Sequence, residues 1–113
     1  MARTWPNCPE LTVSLILALE DVDEVVGATR VVPGSHRWTD YERSPEPAES
    51  IPATLLAGDA LIYNGRVFHG GGANQTVDRW RWALHLSFVV GWLTPEEAAS
   101  QIYPASLIEH RSP

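Results

Sequence analysis

Residues 81–90 read RWALHLSFVV, and their alternation admits one backbone form. Trp82, Leu84, Leu86, Phe88 and Val90 fall on one side of an extended chain, and Arg81, Ala83, His85, Ser87 and Val89 fall on the other. A period of two scatters around a helix but lines up on a strand, so this stretch specifies a long β-strand with one apolar and one mixed face. The remaining apolar runs are shorter. Residues 11–19 (LTVSLILAL) are rich in branched side chains, which predicts a strand covered on both faces. Residues 28–32 make a second strand, stopped by Pro33-Gly34, and residues 51–56 a third. Gly58-Asp59 turns into residues 60–63, and Asn64-Gly65 after them is the strongest hairpin signal in the chain. Residues 67–69 end in three glycines, Gly70, Gly71 and Gly72.

The segments between are polar. Residues 1–10 read as an extended lead-in, the acidic residues 20–24 as a solvated turn, and residues 37–50 as a surface loop carrying Pro45 and Pro47. One helix start stands out: Thr94 as N-cap, Pro95 at the first helical position and Glu97 three residues past the cap predict a helix from 94 to about 102. Short strands separated by turn signals, in a chain of 113 residues, predict a single all-β antiparallel domain over 1–113 with minor helix.

Charge narrows the partners. The net charge is −6 and all eight basic residues are arginine, with no basic run, so neither a nucleic acid nor an anionic membrane is an expected partner. The apolar run 11–19 is far below the ~20 residues that span a bilayer, and Glu20, Asp21, Asp23 and Glu24 follow it at once, unlike a secretory signal. A lone cysteine, Cys8, excludes an internal disulfide and a multi-cysteine zinc site. A cytoplasmic protein is expected.

Two residues carry a chemical pattern. His69 precedes the glycine run, where backbone turns sharply and a ligand approaches closely. Arg81, twelve positions later, opens the long strand on its mixed face. If the two strands pair, their backbones lie ~4.8 Å apart and the side chains converge on one cavity. Imidazole suits iron, copper, nickel or zinc, and a guanidinium on an inward face calls for a carboxylate or phosphate. The pair therefore describes a site for a small oxo-acid chelating a metal; spacing alone equally allows a structural histidine and a surface arginine. His85 reads as a core histidine and His36 as a structural residue or weak site candidate. The carboxylates of residues 20–24 lack the spacing of a calcium loop, and Ser35 and Ser87 have no activating His–acid pair.

Three segments together resemble the C-terminal half of the phytanoyl-CoA dioxygenase family, iron(II)- and 2-oxoglutarate-dependent oxygenases. They are residues 11–21, ending Ala18-Leu19-Glu20-Asp21; residues 27–38, GATRVVPGSHRW; and residues 58–93, which hold the HGGGAN run, an arginine and LHLS. The resemblance runs from about 10 to 93, leaving 94–113 as helix and tail. It implies an incomplete double-stranded β-helix, a cupin-like jelly roll, and hydroxylation or related oxidation of a small organic substrate with Fe(II) and 2-oxoglutarate. His69 matches the distal iron ligand and Arg81 the clamp on the far carboxylate of 2-oxoglutarate. Gly71 is a further cosubstrate-binding candidate. The His-to-Arg spacing is one residue longer than in the family, with Val77 or a neighbour extra, which makes Arg79 the fallback. Leu17 stands where the family has an aromatic residue.

The family takes its other two iron ligands from a His-x-Asp motif upstream of residues 11–19. Before Leu11 there is no histidine and Glu10 is the only carboxylate, so this set of residues does not hold iron in the family's geometry. A natural protein extending further upstream, a non-catalytic jelly-roll module that binds or assembles, and ligands supplied by a second chain are the three readings. The apolar side of residues 82–90 is expected to lack its covering helices, leaving a patch suited to self-association or to a missing N-terminal half.

Overall fold

The computed structural model describes residues 10–40 and 42–94. Six strands form two antiparallel three-stranded sheets: β1 (Thr12–Ala18), β2 (Arg30–Val31), β3 (Ile51–Pro52), β4 (Ala60–Asn64), β5 (His69–Gly70) and β6 (Ala83–Val89). The first sheet has the order β4-β1-β6 and the second β3-β2-β5. Together they make the open jelly roll that the resemblance implies, with two short 3₁₀ helices, Ser35–Arg37 and Pro47–Glu49, among the described residues. The helix expected from 94 lies outside the described residues.

Register assigns each side chain of the first sheet to a face. Ser14 lies opposite Tyr63 and Ser87, Ile16 opposite Leu61 and His85, and Ala18 opposite Ala83. This inner face looks toward the second sheet. Val13, Leu15 and Leu17, with Ile62, Leu84, Leu86 and Phe88 beside them, point the other way. The alternation of β6 therefore survives intact, with Arg81 leading into the inner side.

The core lies where the inner face meets the turn after β1. Ala18, Val22, Val26 and Ala28 are buried together, with Leu55 packed against them. Val22 and Leu55 exchange two backbone hydrogen bonds, 2.7 and 2.9 Å, which tie that turn to the segment after β3. These are small side chains; only valine and alanine fit where a turn and a sheet approach so closely.

Several expectations need correction. β1 is covered on one face only: Ser14 and Ala18 are buried while Val13 is exposed. A run rich in leucine and valine reads as doubly covered from composition, but cover depends on elements elsewhere in the chain. Asn64-Gly65 closes β4 without making a hairpin, since β4 pairs with β1 and the chain crosses to β5 in the other sheet. The strand expected over 51–56 is only Ile51–Pro52, because the chain then leaves the ladder to bridge Val22. β5 pairs with β2 and β6 with β1, so the strands of His69 and Arg81 do not pair.

Among the described residues the outer face is exposed: Ile62 is 65% exposed and Trp82 and Phe88 are each 60% exposed. Among the described residues no helix is long and apolar enough to cross a membrane.

Candidate functional site

A cavity of about 170 Å³ opens between the sheets, lined on one side by Ile16, Ala18, Leu61, Ala83, His85 and Arg81 and on the other by Val22, Thr29, Ala53 and Leu55. An apolar cavity of ~150 Å³ holds a ring of six carbons, so the space suits a small organic molecule rather than a few waters. Its walls are mostly methyl groups; Arg81, His85 and Thr29 bring the polarity. That contrast would suit a ligand with an anionic end at the guanidinium and a short carbon chain at the aliphatic wall.

Arg81 reaches the cavity from the residue pair just before β6. One Nη donates to the Gly27 carbonyl, and no carboxylate pairs with the guanidinium among the described residues. The remaining N–H donors keep the fork geometry that a carboxylate matches with two parallel hydrogen bonds.

His69 does not line that cavity, so the expected convergence of His69 and Arg81 on one cavity is not found. Its ring packs on Tyr63, an inner-face residue of β4, with centroids 4.4 Å apart. Its Nδ1 lies 2.9 Å from the Val67 carbonyl oxygen. A carbonyl only accepts, so Nδ1 carries the hydrogen and Nε2 of the neutral ring keeps its lone pair. This is how metal-bound histidines are oriented, with the far nitrogen held by a backbone carbonyl. The ring is exposed, leaving Nε2 accessible. Among the described residues no group of three His, Cys, Asp or Glu could hold a metal ion.

The glycine run divides its work. Nothing lies within 4 Å of where a Cβ of Gly70 would stand, and Gly71 faces Arg81, whose Nη2 would be 3.9 Å from such a carbon. Gly71 therefore connects the histidine strand to the guanidinium. Gly72 is a correction: it serves chain packing rather than ligand approach, since its Cβ would stand 2.5 Å from the Ala28 carbonyl oxygen. Gly27 sits against it with φ +93°, and a Cβ there would be 2.7 Å from the Gly72 oxygen.

Arg79 turns away from the cavity. It donates to Asp23 at 2.9 Å and lines an outer cleft with Glu20, Asp21, Asp78, Trp80 and Trp82. His85 is not a core histidine: it is exposed and lines the cavity, its Nε2 3.5 Å from Ser87 Oγ, which bonds Ser14 Oγ at 2.9 Å. Its alternation with Arg81 and Ala83 was the available signal. His36 lies elsewhere, half-buried beyond β2, its Nδ1 without a hydrogen-bond partner among the described residues.

Asp23 was missed by reading residues 20–24 as a solvated turn. Its Oδ1 accepts from the Val26 N–H at 2.8 Å and its Oδ2 from Arg79. An aspartate three residues before a buried valine, ahead of a glycine, is the side-chain-to-backbone turn signal that marks it. The Val26 N–H, and then Arg79, hold its carboxyl below the usual 3.8. Folding thus favours the ionised form. The contribution is complete above the unfolded value and is lost as pH falls through the lower folded value. Acid unfolding of Asp23→Asn is accordingly expected to show a weaker pH dependence below pH 4 than the parent chain, in circular dichroism titrations. An identical pH dependence would contradict the pairing.

The family model described as phytanoyl-CoA dioxygenase matches residues 1–83, which include both His69 and Arg81. Dioxygenase olcK of Penicillium canescens is 40% identical over 107 residues, covering 95% of this chain and 35% of its own length. The Fe(II)/2-oxoglutarate-dependent dioxygenase nvfF of Aspergillus novofumigatus is 39% identical over 109 residues, 96% of this chain and 36% of its own. Among solved structures, the non-heme alpha-ketoglutarate-dependent epimerase SnoN from nogalamycin biosynthesis superposes with a TM-score of 0.60 at 26% identity, covering 78% of this chain and 37% of that one. The chain spans about a third of the length of the curated relatives it matches.

Proposed function

Because the chain belongs to the phytanoyl-CoA dioxygenase family, we propose that it functions in an Fe(II)- and 2-oxoglutarate-dependent dioxygenase that hydroxylates or otherwise oxidises a small organic substrate. Its residues supply the cosubstrate-holding side of that site. The carrying observation is the Arg81 guanidinium, set at an otherwise aliphatic cavity without a carboxylate partner among the described residues. A keto-diacid fits that arrangement, with its far carboxylate on Arg81 and its methylene groups against Ala18, Ala83 and Leu61. The Fe(II)-dependent relative supports the same assignment.

The described residues fit iron in part. His69 presents Nε2 with Nδ1–H held by Val67 and would occupy one coordination position. Bound ferrous iron supplies oxygen activation coupled to decarboxylation of 2-oxoglutarate to succinate. Arg81 neutralises and orients the far carboxylate, Tyr63 holds the imidazole ring in place, and the methyl-rich wall excludes water from the cosubstrate's carbon chain. Calorimetry of the 113-residue chain tests the division of labour. Weak 2-oxoglutarate binding that does not depend on Fe(II) is expected; tight, metal-dependent uptake would show a complete iron site and overturn the single-ligand assignment.

The second reading, a non-catalytic binding or assembly module, is favoured by the open outer face and by the lack of a three-ligand cluster among the described residues. Uncovered Ile62, Leu84, Leu86 and Phe88 make a contiguous apolar surface of the kind that drives association. We therefore expect the chain to self-associate at micromolar concentration in sedimentation experiments, and Leu86→Glu to shift it toward monomer. A compact monomer before substitution would sink that expectation.

A further inference from the structure

We propose that Asp23 and Arg79 are positioning residues for Arg81: their ion pair locks the loop between His69 and Arg81 onto the turn after β1, whose Gly27 carbonyl holds the Arg81 guanidinium at the cavity. The inference rests on the reading of Arg81 as the carboxylate anchor.

Three contacts dock that loop on the turn. Arg79 donates to Asp23 Oδ2 at 2.9 Å, the Gln75 N–H donates to the Val25 carbonyl at 2.9 Å, and Gly72 lies against Gly27 with room for no side chain. The loop is also knit internally. Asn74 Nδ2 donates to the Arg79 carbonyl at 2.8 Å, and Thr76 Oγ1 donates to Asn74 Oδ1 at 2.6 Å. On the turn's side, the Ala28 N–H donates to the Asp23 carbonyl at 2.9 Å and the Gly27 N–H to the Glu24 carbonyl at 3.1 Å. Asp23 thus closes the turn that aims the Gly27 oxygen and also takes the arginine two residues before Arg81. Both ends of the Arg81 hydrogen bond are fixed through one carboxylate. The ion pair is half-exposed, so its worth lies in geometry rather than stability.

The two arginines consequently have separate tasks. Arg79 is neutralised by Asp23 and holds the loop; Arg81 remains available to an incoming carboxylate. Residues that orient metal ligands from behind typically change affinity or activity 10–100-fold, and an effect at the lower end of that range is expected at Arg81.

The test reads the Arg81 side chain itself, by Nη–H signals in nitrogen-15 NMR of the 113-residue chain, with and without 2-oxoglutarate. Asp23→Asn keeps the acceptor for Val26 and removes only the charge, whereas Arg79→Met removes the cation and Arg79→Lys keeps it. In both charge-deleting variants the Arg81 Nη–H that bonds the Gly27 carbonyl is expected to exchange with solvent about tenfold faster, and 2-oxoglutarate affinity to fall about tenfold. Arg79→Lys should restore most of both, and the β6 amide signals, which report folding, should stay in place. An Arg81 signal and affinity unchanged in Asp23→Asn and Arg79→Met would overturn the proposal. So would a lowered melting temperature with the Arg81 signal unmoved, which is what a merely structural ion pair produces. If Arg81 responds to both variants while the parent chain shows no response to 2-oxoglutarate at tens of millimolar, the positioning role stands and the cosubstrate reading fails.

Discussion

Arg81→Gln is expected to weaken 2-oxoglutarate binding about 30-fold. A ligand of ten non-hydrogen atoms, held by one charge-assisted pair and an aliphatic wall, binds at about 1 mM, near the lower end of ligand efficiencies. A hydrogen-bonded contact to a charged group is worth ~1.5–3 kcal/mol, and each 1.4 kcal/mol is tenfold, so the variant should not saturate below tens of millimolar. Arg81→Lys keeps the charge but loses the planar fork, and should fall between the two. Arg79→Lys serves as the comparison, because it keeps the charge that pairs with Asp23. NMR titration with the cosubstrate measures all four chains; equal affinities for the parent and Arg81→Gln would remove Arg81 from the site.

Gly72→Ala is expected to cost about 3 kcal/mol of stability, the upper end for forcing atoms into a filled space. The added methyl carbon would meet the Ala28 carbonyl oxygen at 2.5 Å and the Gly27 carbonyl carbon at 3.0 Å, and neither belongs to a side chain that could swing aside. That is a large share of the ~5–15 kcal/mol typical of a folded domain. Gly27→Ala should be as severe, because the same contact is met at 2.7 Å with the added strain of φ +93°. Gly70→Ala is the control: nothing lies within 4 Å of its Cβ, so it should remain within ~0.5 kcal/mol of the parent. Urea unfolding midpoints give the comparison, and a Gly72→Ala midpoint equal to that of Gly70→Ala would contradict the packing of these two segments.

Features governed by local period were legible in advance. The alternation of β6 named its inner and outer sides correctly, and with them the direction of Arg81, because strand periodicity is set by neighbouring peptide units alone. Partner choice was not legible. Asn64-Gly65 signals a tight turn equally well whether the next strand returns beside the last or crosses to another sheet, and here it crosses. For the same reason the pairing that would have brought His69 and Arg81 to one cavity was not decided by the sequence: β5 pairs with β2 and β6 with β1.

Side-chain pairing across long separations was the other hidden layer. The acidic residues 20–24 looked like a solvated turn because their partners, Arg79 and Arg30, are distant or beyond an intervening glycine. His85 looked like a core residue because the cavity beside it exists only when the second sheet is in place. The choice between Arg79 and Arg81 was ambiguous by count, with one residue too many between histidine and arginine. Val77 is fully exposed, so the loop carries its extra length outward and Arg81 still reaches the cavity.

A crystal of the chain soaked in 2-oxoglutarate tests the central claim most directly, through the position of the far carboxylate. The account predicts both of its oxygens on the Arg81 guanidinium, inside the cavity between Thr29 and Ala83. Density for the carboxylate on Arg79, in the outer cleft beside Trp80, or nowhere at a concentration that saturates binding in solution, would contradict it.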